Sequence, residues 1–287
     1  IFNNDTTFLS QSSLSKSSGY SHNVRTGMDY FINKQNTLSF NVSFNTHNNT
    51  SHSETDSKSQ TGSSDAFNKI YKLDNEQTHA SKNIGANLFY KHEFHKKGQE
   101  LSFDIYYSHR WGNNNNFSIE DYSQPANRED FYNSETTDAR NQYSTAQIDF
   151  ITPIGNGGRI ETGYKLLIRN TFQDYIQKTG NAADNLTEVP SDANNYNYNE
   201  YINAVYFIYS NTIKEKFKYQ VGLRGELANN MFYLNKLDTS SRSVYPNIFP
   251  TVHLVYDFNK KHSLSLSYSM RVRRPNIFQL NPYVFYL

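Results

Sequence analysis

Residues 37–45 read Thr37-Leu38-Ser39-Phe40-Asn41-Val42-Ser43-Phe44-Asn45. Leu38, Phe40, Val42 and Phe44 alternate with Ser39, Asn41, Ser43 and Asn45. A β-strand turns successive side chains to opposite faces, so this stretch has one apolar face and one wet face. The pattern recurs along the chain. In 263–273, Leu264, Leu266, Tyr268, Met270 and Val272 oppose Ser265, Ser267, Ser269, Arg271 and Arg273. In 101–111, Leu101, Phe103, Ile105, Tyr107 and Trp111 share one parity, with His109 at its outer end; Ser102, Asp104, Tyr106, Ser108 and Arg110 take the other. In 251–258, Val252, Leu254, Tyr256 and Phe258 oppose Thr251, His253, Val255 and Asp257. A soluble sandwich would close its apolar faces over a dry core. Here the wet face returns on nearly every strand and no separate core segment appears. Lipid outside and a polar lumen inside account for both faces, which predicts an all-β, antiparallel, up-and-down transmembrane β-barrel. Charges fall on the wet parity, where they avoid lipid. In 199–212 both parities look apolar: Tyr201, Val205, Phe207 and Tyr209 compete with Ile202, Tyr206 and Ile208, so neither face is assigned.

Composition supports a barrel. Of 287 residues only 36% are apolar, which alone would suggest disorder, yet 15% are aromatic, including 23 Tyr and 20 Phe. A barrel needs apolar residues only at alternate positions in a short band, with aromatic girdles at the two interfaces. A net charge of +1 removes the electrostatic case for a nucleic-acid partner. The absence of cysteine excludes disulfides and thiolate metal sites. No apolar run approaches the ~20 residues of a transmembrane helix.

Five hairpins are predicted. Strands 20–32 and 37–48 flank turn 33–36, and 77–94 and 100–111 flank 95–99. Strands 136–154 and 159–176 flank 155–158, 199–212 and 217–233 flank 214–216, and 244–258 and 263–273 flank 259–262. The remaining connections, 49–76, 112–135, 177–198 and 234–243, are mostly longer and rich in Asn, Ser, Thr and Asp. Short turns alternating with long loops fit periplasmic turns and extracellular loops of a Gram-negative outer membrane. Residues 1–9 read as the end of an eleventh strand, followed by a Ser-rich outer loop. Many strands exceed the ~9–11 residues that cross a bilayer, so they should project beyond it. Residues 1–287 are expected to form one domain, ten or eleven strands of a barrel of about 22, too few to close a native barrel alone.

The last forty residues carry a resemblance. Phe249-Pro250-Thr251-Val252-His253-Leu254, residues 261–269, Arg273-Arg274-Pro275-Asn276 and Leu280-Asn281-Pro282 resemble the outer-membrane β-barrel family of Bacteroidetes TonB-dependent receptors. Residues 28–34 with 36–39 resemble an earlier hairpin of the same family. The resemblance implies the barrel of a receptor whose full-length chain also carries an N-terminal plug, powered by the TonB complex. Neither plug nor TonB box is found in these residues, and the final strands are also expected to lie outside them.

The expected function is therefore uptake of a scarce nutrient (chelated metal, glycan or peptide). The competing reading is a passive or structural outer-membrane barrel, such as a porin, adhesin or assembly scaffold; a soluble secreted β-protein is a third. Expected partners are outer-membrane lipid, the plug and the TonB complex. No cofactor is implied. His92-Glu93-Phe94-His95 lacks the spacing of a helical zinc motif, and Gly155-Asn156-Gly157-Gly158 is a turn rather than a phosphate loop. No nucleophile–base–acid set is apparent, so no enzyme is expected. Arg271, Arg273 and Arg274 are the outstanding cluster. With Asp104 and Arg110 they are candidate lumen residues, contacting plug carboxylates or an anionic ligand; the alternative is structural pairing inside the barrel. Phe117, Tyr122, Phe131 and Tyr132, placed in an outer loop, are candidate stacking surfaces for a ligand, though they could equally pack the loop onto itself.

Overall fold

In the computed structural model, residues 7–61, 67–189, 195–235 and 238–274 are described. They form β1 (Thr7–Asn33), β2 (Asn36–Thr61), β3 (Lys69–Glu93), β4 (Glu100–Gln124), β5 (Phe131–Ile154), β6 (Gly158–Gly180), β7 (Thr187–Glu188), β8 (Tyr196–Ile213), β9 (Phe217–Leu234), β10 (Thr239–Asn259) and β11 (His262–Ser269). All pair antiparallel in one sheet in the order β1-β2-β3-β4-β5-β6-β8-β9-β10-β11, with β7 added beside β6. The up-and-down order and all five short turns are as expected. Gly155 (φ 53°) and Gly157 (φ 86°) take the left-handed backbone that such a tight reversal needs.

Register resolves the faces. One row runs Met28–Phe40–Leu88–Ile105–Ala146–Leu166 across six strands. Its neighbours Tyr30, Leu38, Tyr90, Phe103, Ile148 and Tyr164 form the next row. The belt continues through Val205 and Phe207, Val221 and Leu223, Val252 and Leu254, and Leu266 and Tyr268. Its side chains are open to the surroundings: Met28 is 65% exposed, Leu266 66% and Val205 60%. An exposed apolar belt spanning the whole sheet is a lipid-facing surface. The strand 199–212 is thereby assigned. Tyr201, Val205, Phe207 and Tyr209 join the belt, whereas Ile202, Ala204 and Tyr206 face the other side, where Ile202 and Ala204 are buried. His109 does share the belt face, stacked on Trp111 at 3.9 Å.

Four expectations are corrected. The Ser-rich stretch after residue 9 is not a loop: β1 runs unbroken for 27 residues, and residues 7–9 are its start rather than a separate strand. Residues 1–6 lie outside the described residues. Most of 49–76 and 112–135 is strand too, because β2 extends to Thr61, β3 starts at Lys69, β4 extends to Gln124 and β5 starts at Phe131. Polar ladders hold these extensions. Ser17 Oγ donates to Asn49 Oδ1 at 2.8 Å, Thr55 Oγ1 to Ser13 Oγ at 2.8 Å, and Gln77 Nε2 to Asn114 Oδ1 at 3.1 Å. Finally, β11 ends at Ser269, so Arg271 and Arg273 lie beyond the strand. Met270 N still donates to Pro250 O at 3.2 Å, but Pro250 has no N–H to return, which ends the ladder.

The belt occupies only the turn-proximal part of each long strand. The rest, more than a dozen residues in β1 and β2, rises beyond the belt on the side of the longer connections. At ~3.3 Å per residue this is roughly 40–50 Å of strand, tilt ignored. Among the described residues β1 pairs only with β2 and β11 only with β10, so the sheet is open.

Packing on the inner face is close at Gly163. A Cβ there would lie 2.6 Å from Ile148 O, Asp149 Oδ1 and Tyr206 Oη. Gly163→Val should therefore destabilise the β5–β6–β8 region by about 1–3 kcal/mol. Urea unfolding in lipid vesicles checks this; a wild-type midpoint would contradict the packing.

Candidate functional site

The inner face carries the built polar chemistry. On β9, Arg224 Nε donates to Glu226 Oε1 at 2.6 Å, and Arg274 Nη2 donates to the same carboxylate's Oε2. Glu226 is nearly buried, its side chain 10% exposed. A 370 Å³ cavity adjoins it, lined by Arg224, Glu226, Phe249, Thr251, Arg271 and Arg274 among others. Two guanidinium groups thus hold one carboxylate, and Arg271 lines the cavity beside them. Arg274 Nε is buried and has no hydrogen-bond partner among the described residues, so one donor is unspent. Such a site suits a carboxylate or another planar anion, which guanidinium forks bind by paired hydrogen bonds.

Of the five candidate lumen residues, Arg271 and Arg274 meet in this cavity, while Arg273 is exposed and does not line it. Asp104 is on the inner face of β4, half-buried, accepting from Asn87 Nδ2 at 3.0 Å. It shares a sheet row with Glu226 through Gln147, Lys165 and Ala204. Four strand steps separate the two, about 19 Å, so the structure does not join them. Arg110 is exposed on the same inner face as Asp104. The remainder of the Arg-Pro-Asn and Leu-Asn-Pro block, from Pro275 onward, lies outside the described residues.

Alternation missed the partners. Glu226 and Arg224 sit in β9 among inner-face residues that sequence left unassigned. The same face holds Glu200, buried and paired with Arg169 Nη1 at 3.2 Å, and Tyr206, whose hydroxyl donates to Asp149. Asp149 also accepts from Gln147 Nε2 at 2.8 Å. Toward the long-loop end, Tyr196, Tyr198, Phe232 and Leu234 form a buried apolar cluster, with Tyr196 stacked on Phe232 at 5.4 Å. The signal was present: Tyr196, Tyr198, Glu200 and Ile202 occupy alternate positions.

The four aromatic candidates are on strands, not in a loop, and they divide between the faces. Phe117 and Tyr132 are 6.4 Å apart on the outward parity. Tyr122 and Phe131 take the inward one. Tyr122 is 7% exposed, 5.3 Å from the Tyr71 ring and 4.1 Å beneath the Arg128 guanidinium, and its hydroxyl donates to Glu120. It is packed into the tip rather than offered for stacking.

Burial pushes the Tyr122, Tyr196 and Tyr198 phenols up to about 12. A phenol held neutral in the fold keeps a proton that the unfolded chain has released, so stability should fall as pH rises from about 10 towards 12. Phenolate absorbance in folded protein should show these three titrating late; titration together with exposed tyrosines near pH 10 would contradict their burial.

His52, Glu54 and Asp74 place ligand-type atoms together on the outward face of the β2–β3 extension. Lys72 Nζ lies 2.8 Å from Glu54, so one of these carboxylates is already paired with an ammonium. That contact lowers the Glu54 carboxyl and raises the Lys72 amine.

A lipid-facing belt, an inward polar wall and hairpin connectivity define a transmembrane β-barrel wall. Residues 92–287 match the outer membrane protein beta-barrel family, and the chain belongs to that family, which places it in the outer membrane of a Gram-negative bacterium. No curated protein matches the sequence. Among solved structures the chain is similar to the ferric citrate transporter FecA in its unliganded form (10% identity, TM-score 0.37, covering 86% of this chain and 43% of that one). It is also similar to BauA, the ferric preacinetobactin receptor from Acinetobacter baumannii (11% identity, TM-score 0.43, covering 90% and 46%). The chain thus spans less than half the length of either.

Proposed function

We propose that this chain is part of the barrel wall of a TonB-dependent receptor that takes up a scarce nutrient: a chelated metal, a glycan or a peptide. The observation that carries this reading is the inner-face cluster of Arg224, Glu226, Arg271 and Arg274 around a cavity. A passive pore needs a wetted wall. A nearly buried carboxylate clamped by two guanidinium groups, with a donor left over, instead suits a docked protein or ligand carboxylate. The plug domain of the full-length chain is the proposed occupant, and the TonB complex supplies the energy. Two further features agree. Among the described residues the first and last strands of the sheet each pair on one side only, an edge that lipid cannot satisfy and that a complete ring of such a receptor would close. The strand extensions also raise a wall well above the membrane, where a ligand is met first.

The test is uptake. Cells lacking the protein should fail to grow on one limiting chelated metal, glycan or peptide and recover when it is restored. Uptake should stop when the proton gradient is dissipated. Uptake that survives dissipation would reject the receptor reading and favour a passive barrel.

A further inference from the structure

The outward face carries a second built feature, directly above the belt and unused by the lumen site. Two adjacent sheet rows cross β1–β5 there. The lower contains Lys82, Trp111 and Arg140, which are register partners in sequence: Lys82 opposite Trp111, and Trp111 opposite Arg140. The upper begins at Tyr20 and passes through Ala80 to Asp138. The small Ala80 side chain leaves a dip between these larger ones, and a groove of 610 Å³ opens over it, floored by the backbone between the rows. The row beneath is the edge of the belt, with Val24, Phe44, Ile84 and His109.

The groove is cationic where it meets lipid. Lys82 and Arg140 are exposed, stand two strands apart, about 10 Å, and flank the Trp111 ring. Among the described residues neither is in an ion pair. Arg140 lies 5.7 Å over the Phe172 ring, which positions it without neutralising it. Asp138, the one acid in the groove, sits a row higher and accepts from Asn113 Nδ2 at 2.8 Å. Trp and Tyr mark the headgroup level of a membrane protein, and cations there attract anionic lipid.

We infer that this groove binds the phosphorylated headgroup of an outer-leaflet lipid, with Lys82 and Arg140 on the phosphate, Trp111 and Tyr20 against the sugar or glycerol, and the acyl chains lying down the belt. A freely soluble anion would have no use for the belt below. The inference depends on which face meets lipid, not on the receptor reading, so loss of nutrient uptake leaves it standing.

Trp111, the one tryptophan of these residues, is its own reporter. The protein purified from outer membranes in detergent should be titrated with diphosphorylated lipid A while fluorescence is followed, the part lost in Trp111→Phe being the groove's signal. The expected result is a saturable blue shift. Lys82→Ala/Arg140→Ala should weaken it about tenfold or more, and Lys58→Ala, an outward cation near the strand tips, should not. Phosphatidylcholine should give a response that the double variant leaves unchanged. Arg140→Lys should recover most of the binding. Folding of each variant is followed by heat-modifiable migration, and the single variant Lys82→Gln decides the matter if the double variant fails to fold. Unchanged affinity in the substituted protein, equal losses for both lipids, or saturation of the same signal by inorganic phosphate would overturn the inference.

Discussion

Phe40→Arg should nearly abolish insertion of the folded barrel, whereas Ser39→Arg, one residue away, should be tolerated. Phe40 lies within the belt, between Met28 on β1 and Leu88 on β3, and is 45% exposed. A guanidinium there faces hydrocarbon, which costs about 2–4 kcal/mol near the midplane, or roughly thirty- to several-hundredfold in the folding equilibrium. Ser39 points the other way and stands opposite Asp29, which could accept the new charge. Folding into vesicles of outer-membrane thickness, followed by heat-modifiable migration, measures both. Equal losses would reject the face assignment.

Glu226→Ala should have the second largest effect. It removes the carboxylate that Arg224 and Arg274 share and leaves two guanidinium groups without their acceptor on a largely covered surface. Removing one partner of such a group costs more than the pair contributes, here about 2–3 kcal/mol. The segment from Met270 to Arg274, which has left the β11 ladder, should detach, and trypsin should cut after Arg271 and Arg273 sooner. Glu226→Gln keeps the shape and an acceptor oxygen, so it should lose less. If neither urea stability nor cleavage changes in Glu226→Ala, the carboxylate is not what holds Arg274.

The belt was legible because lipid imposes a strict period of two. Leu38 to Phe44 and Leu264 to Tyr268 each reveal a face unaided, and each turn has the Gly, Asn or Lys chemistry of a hairpin. Above the belt that constraint disappears. Water lies on both sides of the extensions, so Ser-, Asn- and Thr-rich stretches such as 10–19 and 49–60 read as loops, although backbone ladders and side-chain pairs such as Ser17 with Asn49 hold them extended. For the same reason the sequence around Phe117 and Tyr132 reads as loop. In β8 the difficulty was the reverse. Ile202, Ala204 and Tyr206 are apolar on the inner face because they pack there, so both parities looked alike until pairing with β6 and β9 distinguished them. The lumen cluster was half visible. Arg271 and Arg274 stand out in the sequence, but Glu226, 48 residues before Arg274, is brought to it only by the β9–β10–β11 meander.

One face of the sheet meets lipid and the other meets water. Because the chain has no cysteine, single cysteines can be placed at each position from 101 to 111 without background from these residues. Each is then challenged, in protein folded into vesicles, with a membrane-impermeant thiol reagent and with a lipid-phase spin-label quencher. The expected result is a period of two: positions 103, 105 and 107 quenched from lipid and closed to the aqueous reagent, and 102, 104, 106 and 108 the opposite. Aqueous labelling at both parities, or quenching at both, would contradict it.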